Sequence, residues 1–196
     1  MRALRYVALA GLLATAGTAA AAPVTYKLDP GHTMVLFSWN HFGFSNPTAN
    51  LGQVDGTLVY DEGAPTKSTV EATLPLAGLD TFVPKLDEHL KSGDFLDAAK
   101  YPTVTFKSTK VTSAGKDKLK VTGDLTVHGV TQSVELDTEF NGTAVDPFGN
   151  QRAGFEASVT ISRKDFGLTW NAALEAGGVL VSDKVVIALD VSTIKG

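Results

Sequence analysis

Four histidines are the side chains in this 196-residue sequence best suited to bind a metal or to move a proton. They are His32, His41, His89 and His128, and no two lie two or four residues apart, so no strand or helix presents a local ligand pair. The chain has no cysteine, which removes thiolate catalysis and cysteine-based zinc sites. The spacing therefore predicts four independent imidazoles and no metal site.

Nucleophilic and acid–base catalysis have no local motif either. The sequence contains no G-x-S-x-G element and no phosphate-binding glycine loop. Its acidic pairs fall in turns or on the polar side of a helix, where solvation is the simpler interpretation: Asp61-Glu62, Asp87-Glu88 and Asp94 with Asp97. Because catalytic triads assemble in space, a missing motif is weak evidence, and an enzyme remains an alternative.

One helix is predicted between residues 83 and 93, next to a turn that ends at Tyr101-Pro102. Its apolar side has the i, i+3, i+7 spacing of a single stripe, made by Val83, Leu86 and Leu90. Asp87 and Lys91 are spaced for an i,i+4 ion pair on the polar side. His89 lies at the edge of the stripe. A short helix between strands is expected to cover something apolar.

Most of the remaining sequence alternates apolar and polar residues, the period of a strand. Eight such segments are predicted, at residues 32–42, 52–60, 68–74, 103–111, 118–127, 131–141, 152–161 and 183–194. Residues 24–26 are a short extended piece, residues 43–50 a loop, and residues 165–178 irregular with a helical turn at 172–176. Turns such as His128-Gly129 predict hairpins and antiparallel pairing. The predicted fold is all-β with short helices, an eight-stranded antiparallel barrel covered by the helical segment.

The inward residues leave open whether the barrel is hollow. Small residues recur among them, namely Gly56, Ala72, Gly123, Ala153 and Ala157, beside large aromatic side chains. A filled core could alternate large and small residues in the same way. Inward carboxylates are few, so a hollow barrel would bind an apolar ligand.

The first residues resemble a secretory signal peptide. Residues 1–22 combine Arg2 and Arg5, an apolar segment and a run of alanines, and the predicted single domain covers residues 23–196. Removing the leader moves the formal charge from −4 to −6, which argues against a nucleic-acid partner. Together with the absence of cysteine, the leader predicts a periplasmic protein without disulfides.

Five motifs resemble those of the YceI-like family. They are D-x-H-L-K-S-x-D-F-L-x-x-x-x-Y-P-x-x-x-F at residues 87–106, H-x-x-V-x-F at 32–37, G-D-L-T-V-H-G-V-T at 123–131, R-A-G-F-E-A at 152–157 and K-D-F-G at 164–167. The resemblance implies a lipocalin-like barrel in an exported bacterial protein that binds polyisoprenoid or other long amphiphilic lipids in its lumen, without established catalysis. Residues 43–47 depart from the family pattern and leave the head-group preference open.

These observations favour an exported protein that holds a long-chain polyisoprenoid, or another amphiphilic lipid, for transport, storage or sequestration. The alternatives are an enzyme acting on a prenylated or acyl substrate, which would use a polar cluster around His41, and a structural barrel with a filled core. No catalytic residue, metal or cofactor is predicted beyond the lipid ligand. Transient membrane contact is allowed, and the oligomeric state is open, with a dimer as one option. The predicted lipid-binding residues are Val35, Phe37, Trp39, His41, Leu58, Leu86, Leu90, Val104, Phe106, Val121, Leu125, Leu136, Phe140, Phe155, Val159, Ile187 and Leu189.

Overall fold

A closed ring of eight antiparallel strands forms the body of the protein in the computed structural model, which describes residues 22–174 and 177–196. The strands are β1 (Val24–Leu28), β2 (Met34–His41), β3 (Thr48–Leu51), β4 (Asp55–Tyr60), β5 (Thr69–Pro75), β6 (Leu79–Asp80), β7 (Thr103–Gly115), β8 (Lys118–Val127), β9 (Val130–Val145), β10 (Gln151–Ser162) and β11 (Val181–Lys195). The helix α1 (Pro84–Lys91) lies between β6 and β7, and 3-10 turns occupy Pro65–Lys67, Leu76–Gly78 and Arg163–Phe166. The predicted eight-stranded barrel is confirmed.

The ring closes where the first described strand meets the last. It runs β1-β4-β5-β7-β8-β9-β10-β11, and β1 pairs with both β4 and β11: Tyr26 lies opposite Leu58 on one side and opposite Lys195 on the other. The sequence indicated only a short extended piece here. Strand β2 pairs with an earlier part of β11, and β3 and β6 extend the sheet beyond it. The barrel wall is therefore wider on the side of β2.

The structure differs from two local predictions, the loop at residues 43–50 and the helical turn at residues 172–176. Residues 43–50 were expected to be a loop, but β3 begins inside them and pairs Asn50 with Leu36 of β2 and with Asp80 of β6. Its buried side chains are Ala49 and Leu51, so tertiary burial makes a strand of a segment with little pattern of its own. The predicted helical turn at residues 172–176 is not formed at residues 172–174, and residues 175 and 176 lie outside the described residues, as does the leader up to residue 21.

The hairpin between β8 and β9 matches the sequence prediction. Val127 pairs with Val130, which leaves His128 and Gly129 as the two turn residues, with φ angles of 52° and 74°. Positive φ at both positions is the backbone of the tight hairpin turn that follows the twist of the strands. In β8 the buried positions alternate with polar ones as expected.

The two ends of the barrel differ in composition. One end, called the closed end below, is filled by the aromatic side chains of Tyr26, Tyr60, Phe140 and Phe155. The other end, called the mouth, carries α1 and the connections at residues 42–47, 163–174 and 177–180. No helix among the described residues is long and apolar enough to span a bilayer.

Candidate functional site

The barrel encloses a cavity of about 540 Å³ between the closed end and the mouth. Aliphatic and aromatic side chains from the barrel strands, from β2 and from α1 make most of its surface. A volume of this size lies within the range of small-molecule sites in proteins. The observation favours the hollow barrel over the filled one, the two alternatives that the sequence pattern left open.

The side chains that line the cavity differ in their exposure. Val121 and Leu125 on β8 are buried, whereas inward side chains on other strands, such as Phe106, Leu136 and Ile187, are only half-buried. The lumen therefore offers an apolar surface to a ligand.

The structure brings together all but one of the residues predicted to bind lipid. Those that line the cavity are Val35, Phe37, Trp39, His41, Leu58, Leu86, Leu90, Val104, Phe106, Val121, Leu125, Leu136, Phe155, Val159, Ile187 and Leu189. Their contact with a ligand stays a prediction, but the shared surface that the prediction requires is present.

Phe140 is the exception, since it does not line the cavity. Its ring centroid lies 4.9 Å from that of Tyr60 and 5.2 Å from that of Phe155, inside the closed end. The register between β9 and β10 shifts at Gly154 and Phe155, so that Phe155 lies opposite Phe140 next to a bulge. Alternation alone did not reveal that Phe140 closes the barrel floor rather than its wall.

Glycine has a steric role in the wall at Gly123. A Cβ atom at this position would collide with the ring of Phe106 and would lie 2.6 Å from the carbonyl oxygen of Lys107. The missing side chain leaves room for the Phe106 ring next to β8, where the ring also borders the cavity. Ala72 and Ala157 line the cavity, whereas Ala153 is buried in the closed end. The small inward residues therefore serve both the lumen and the packing around it.

Helix α1 closes part of the mouth with two of its three predicted apolar residues. Leu90 is 7% exposed and packs in the largest hydrophobic cluster, and Leu86 packs against that cluster. Both line the cavity. Val83 is 51% exposed, which corrects the prediction that it shares the buried stripe. It precedes the first helical residue, Pro84, and has an extended backbone, so helical periodicity does not apply to it.

The predicted ion pair between Asp87 and Lys91 is not present. The Asp87 carboxylate accepts hydrogen bonds from the backbone N–H and the hydroxyl of Thr81, at 2.7 Å and 2.6 Å. These bonds hold the pKa of Asp87 below its ordinary value. The Lys91 ammonium donates instead to the carbonyl oxygen of Leu79, at 3.1 Å. Both side chains thus attach α1 to β6 and to the segment that follows it, a role that helical spacing alone does not indicate.

Two imidazoles line the cavity at its mouth. His41, at the end of β2, and His89, on α1, both line it. The Nε2 atom of His89 lies 3.1 Å from an oxygen of Asp94, and its ring meets the rings of Phe95 and Trp170 edge to face at 5.0 Å. These contacts hold the imidazole of His89 at the edge of the apolar stripe, where the sequence placed it.

Several residues that line the cavity were not predicted from the sequence, among them Phe95, Trp170 and the buried Arg163. Arg163 lines the cavity, yet it is only 3% exposed. Its guanidinium donates to the carbonyl oxygens of Leu168 and Trp170, both at 2.8 Å, and to that of Ser182 at 3.0 Å. The guanidinium also lies 3.4 Å from a carboxylate oxygen of Asp183. A buried arginine whose donors are engaged by the protein in this way organises a loop rather than a ligand. Arg163 therefore fixes the connection between β10 and β11 at the mouth.

The histidines do not converge on one site. His32 lies 2.7 Å from a carboxylate oxygen of Asp29, whereas the His128 ring contacts Tyr101 at a centroid distance of 4.8 Å. Within residues 22–174 and 177–196, no group of three histidine, aspartate or glutamate side chains has the arrangement of a metal site. That the protein binds no metal stays a prediction.

The closed end is held by ionic bonds outside the cavity. The Arg152 guanidinium donates to carboxylate oxygens of Asp29 and Asp146, both at 2.7 Å. These bonds are the main reason why the pKa of each carboxyl lies below its ordinary value. Since Asp29 follows β1 and Asp146 follows β9, the arginine on β10 connects three separate parts of the chain.

Comparisons with known proteins agree with this architecture. A model of the YceI-like domain matches residues 26–193. Protein YceI of Escherichia coli O157:H7 is 42% identical over 159 residues, 81% of this chain and 83% of that protein. A UPF0312 protein of Pectobacterium atrosepticum is 40% identical over 158 residues, 81% of this chain and 82% of that protein.

Three solved structures share the fold. BcnA of Burkholderia cenocepacia has a TM-score of 0.74 at 20% identity, covering 84% of this chain and 98% of its own. The YCEI protein of Campylobacter jejuni has a TM-score of 0.68 at 28% identity, covering 80% and 90%. A polyisoprenoid binding domain from Saccharophagus degradans, implicated in plant cell wall breakdown, has a TM-score of 0.67 at 12% identity, covering 88% and 99%.

Proposed function

The chain belongs to the YceI-like family, and from this membership we propose that it is an exported protein that holds one long-chain lipid in its barrel. The lipid class that fits best is a polyisoprenoid, or an acyl lipid of similar length. The proposed role is carriage, storage or sequestration of that lipid in the periplasm. No covalent chemistry on the ligand is required.

The observation that carries the proposal is the apolar cavity of about 540 Å³. Apolar surface is most stable when it is removed from water, so a lumen of this kind favours a hydrocarbon chain. The polar atoms of lining residues such as Thr33 and Arg163 are engaged by carbonyl groups of the protein. They do not require a polar ligand as partner.

The name of one structurally similar protein is consistent with the proposed ligand class. The domain from Saccharophagus degradans is described as polyisoprenoid binding, and it shares this barrel at low sequence identity. That description belongs to the other protein. For this chain the ligand class rests on the family and on the lining of the cavity.

The energetics favour a carrier that exchanges lipid with a membrane. A chain of about 40 carbons would release roughly 30 kcal/mol on leaving water, at about 0.8 kcal/mol per methylene. Non-covalent affinities level off near about −18 to −21 kcal/mol, so this sum does not appear as binding free energy. The lipid has most of this stabilisation in the bilayer already. The cavity therefore has only to match the bilayer, and the mouth selects which lipid is exchanged.

The test is organic extraction of protein purified without detergent from its own host, followed by mass spectrometry. We expect a long-chain isoprenoid or acyl lipid at a yield near one per protein. Ala157 faces the cavity on β10, whereas the next residue, Ser158, is exposed on the outer surface. Ala157→Trp fills part of the lumen and is expected to lose most of the lipid, and Ser158→Trp serves as the matched control that keeps it.

Two outcomes would reject the carriage proposal. One is repeated recovery of no lipid from the folded wild-type protein. The other is equal lipid content in folded Ala157→Trp and Ser158→Trp, because the lipid would then be bound outside the cavity.

A further inference from the structure

The mouth of the barrel exposes aromatic side chains that the fold does not bury. Phe44 is 84% exposed and Phe82 is 85% exposed, and Phe42 is exposed beside Phe44, with their ring centroids 5.0 Å apart. A single exposed aromatic residue is ordinary, but several at one end of a barrel form a patch. We call Phe42, Phe44 and Phe82 the aromatic rim.

The aromatic rim borders the cavity. Phe42 follows His41, which lines the cavity, and the Phe42 N–H donates to the carbonyl oxygen of Leu180, another lining residue, at 2.8 Å. Phe82 reaches the same end through the sheet. Because β6 runs antiparallel to β3 with Asp80 opposite Asn50, the chain beyond Asp80 runs towards the start of β3, next to the connection that carries Phe44.

The backbone holds two of these side chains in a costly conformation. Phe42 has φ 59° and Phe82 has φ 62°, in the left-handed region that glycine and asparagine occupy more easily. A bulky residue in this region is unusual, and such positions concentrate at binding sites. The Phe82 ring points into solvent, so packing within the folded protein does not offset the cost of this backbone conformation.

The charge around the connection between β2 and β3 decides what kind of partner fits. Residues 40–47 read NHFGFSNP and contain no acidic residue, lysine or arginine. Phe82 has one charge of each sign nearby in its own segment, Asp80, which accepts from the Phe82 N–H, and Lys85. A protein partner recognised by ion pairs, or a surface bound through anionic head groups, would need charges that the connection lacks. Phenylalanine, like tryptophan and leucine, is a side chain that membrane-surface segments bury at the boundary between head groups and acyl chains.

We propose that the aromatic rim is a membrane-docking surface, which inserts into the interfacial region of a bilayer and places the mouth of the cavity against it. This inference rests on the proposed function, because a lipid that moves between cavity and bilayer is what makes contact useful. Docking lets the hydrocarbon chain move between two apolar environments without crossing water. The contact is apolar, so it does not depend on anionic lipid.

The experiment measures flotation of the protein without its predicted leader, residues 23–196, with vesicles of phosphatidylcholine, with and without phosphatidylglycerol, at low and high salt. We expect the wild type to bind both kinds of vesicle and to stay bound at high salt. The double substitution Phe44→Ser with Phe82→Ser is expected to weaken the partition about tenfold or more, because two exposed rings lose their burial in the membrane.

A matched control lies at the opposite end of the molecule. Phe148 is 89% exposed in the turn between β9 and β10, beyond the closed end. Phe148→Ser removes the same chemical group and is expected to leave flotation unchanged. Far-UV circular dichroism checks that each variant is folded, and extraction measures its lipid content separately.

Three results would overturn the inference. They are absence of wild-type binding to either vesicle, equal binding of the rim variant and the wild type, and an equal loss with Phe148→Ser. A wild type that self-associates and does not bind vesicles, together with a monomeric rim variant, would show that the surface is an interface between copies of the chain. Lipid in the extract of a wild type that does not float would refute membrane docking but leave the proposed function intact.

Discussion

The ring of Phe106 lies between Gly123 and the cavity, so a substitution there changes the lumen wall directly. We predict that Phe106→Arg abolishes lipid retention. The guanidinium would face an apolar lumen without a charged partner, and burial of an unpaired charge costs several kcal/mol. The measurement is lipid content by extraction and mass spectrometry, together with circular dichroism.

Thr109→Arg provides the comparison on the same strand, because Thr109 is exposed on the outer surface of β7. It adds the same charge and is expected to keep both fold and lipid. A folded Phe106→Arg protein with wild-type lipid content would show that the Phe106 side chain does not contact the ligand.

Side chains whose neighbours come from distant parts of the chain were the ones that sequence analysis misplaced. Spacing identified Phe106 and Leu125 as inward residues, because strand alternation fixes the face on which each lies. It did not separate the floor residue Phe140 from the wall, nor did it reveal that Asp87 binds Thr81 rather than Lys91. Arg163 is buried because its guanidinium binds carbonyl groups of Leu168 and Trp170, in the loop that follows, and of Ser182, on β11. No local sequence pattern encodes that arrangement.

Helix α1 covers the cavity through Leu86 and Leu90, and we predict that Leu90→Asp separates binding from folding. Truncating a buried leucine costs about 2–5 kcal/mol, and a buried carboxylate adds a desolvation penalty. The strand ladder has its own hydrogen bonds, so the barrel is expected to survive with lower stability. The lipid should dissociate faster, because its hydrocarbon chain loses one wall.

The measurement compares lipid dissociation rates and thermal unfolding for Leu90→Asp and for Lys85→Asp. Lys85 is exposed on the same helix, so this control adds a carboxylate without removing apolar contact. An unchanged dissociation rate in a folded Leu90→Asp protein would mean that α1 does not retain the ligand. Complete unfolding would mean that the helix belongs to the core of the fold.

Long, regular elements were predicted well and short ones were not. β8 and its turn at His128-Gly129 agree with prediction because alternation and turn chemistry coincide there. β3 and β6 are four and two residues long, too short for any period to be visible. The pairing of β3 with β2, and of β6 with β3, buries Ala49, Leu51 and Leu79, and this burial depends on the assembled barrel.

The two ends of the molecule differ: α1 and the loops cover the mouth, and aromatic packing and ionic bonds hold the closed end together. At the closed end, the bonds from Arg152 keep the pKa of both Asp29 and Asp146 low in the folded state. A carboxyl group whose pKa is lower in the folded than in the unfolded protein stabilises the fold at any pH above its unfolded pKa. That stability is lost as the pH falls through the folded value.

We therefore predict that the melting temperature stays level at neutral pH and falls as the pH drops below about 4, near the ordinary pKa of aspartate. Asp146→Asn should lower the melting temperature at neutral pH and reduce its acid dependence, because one of the two carboxylates no longer titrates. Asp124→Asn, at an exposed position on β8, should follow the wild type. Equal acid dependence in wild type and Asp146→Asn, measured by scanning calorimetry between neutral and acidic pH, would show that this carboxyl contributes nothing.

The seam between β1 and β11 also imposes an order on folding. Tyr26 and Lys195 are neighbours in space, although nearly the whole described chain separates them. Pairings of such high sequence separation form slowly, since a long loop must be closed before they contribute any stability. Strand β11, which completes one edge of β1, follows all the other described strands in the chain, so a chain that folds from its N-terminal side acquires it after them. Until then the sheet has an open edge, and this is the interval in which it can pair wrongly with another chain.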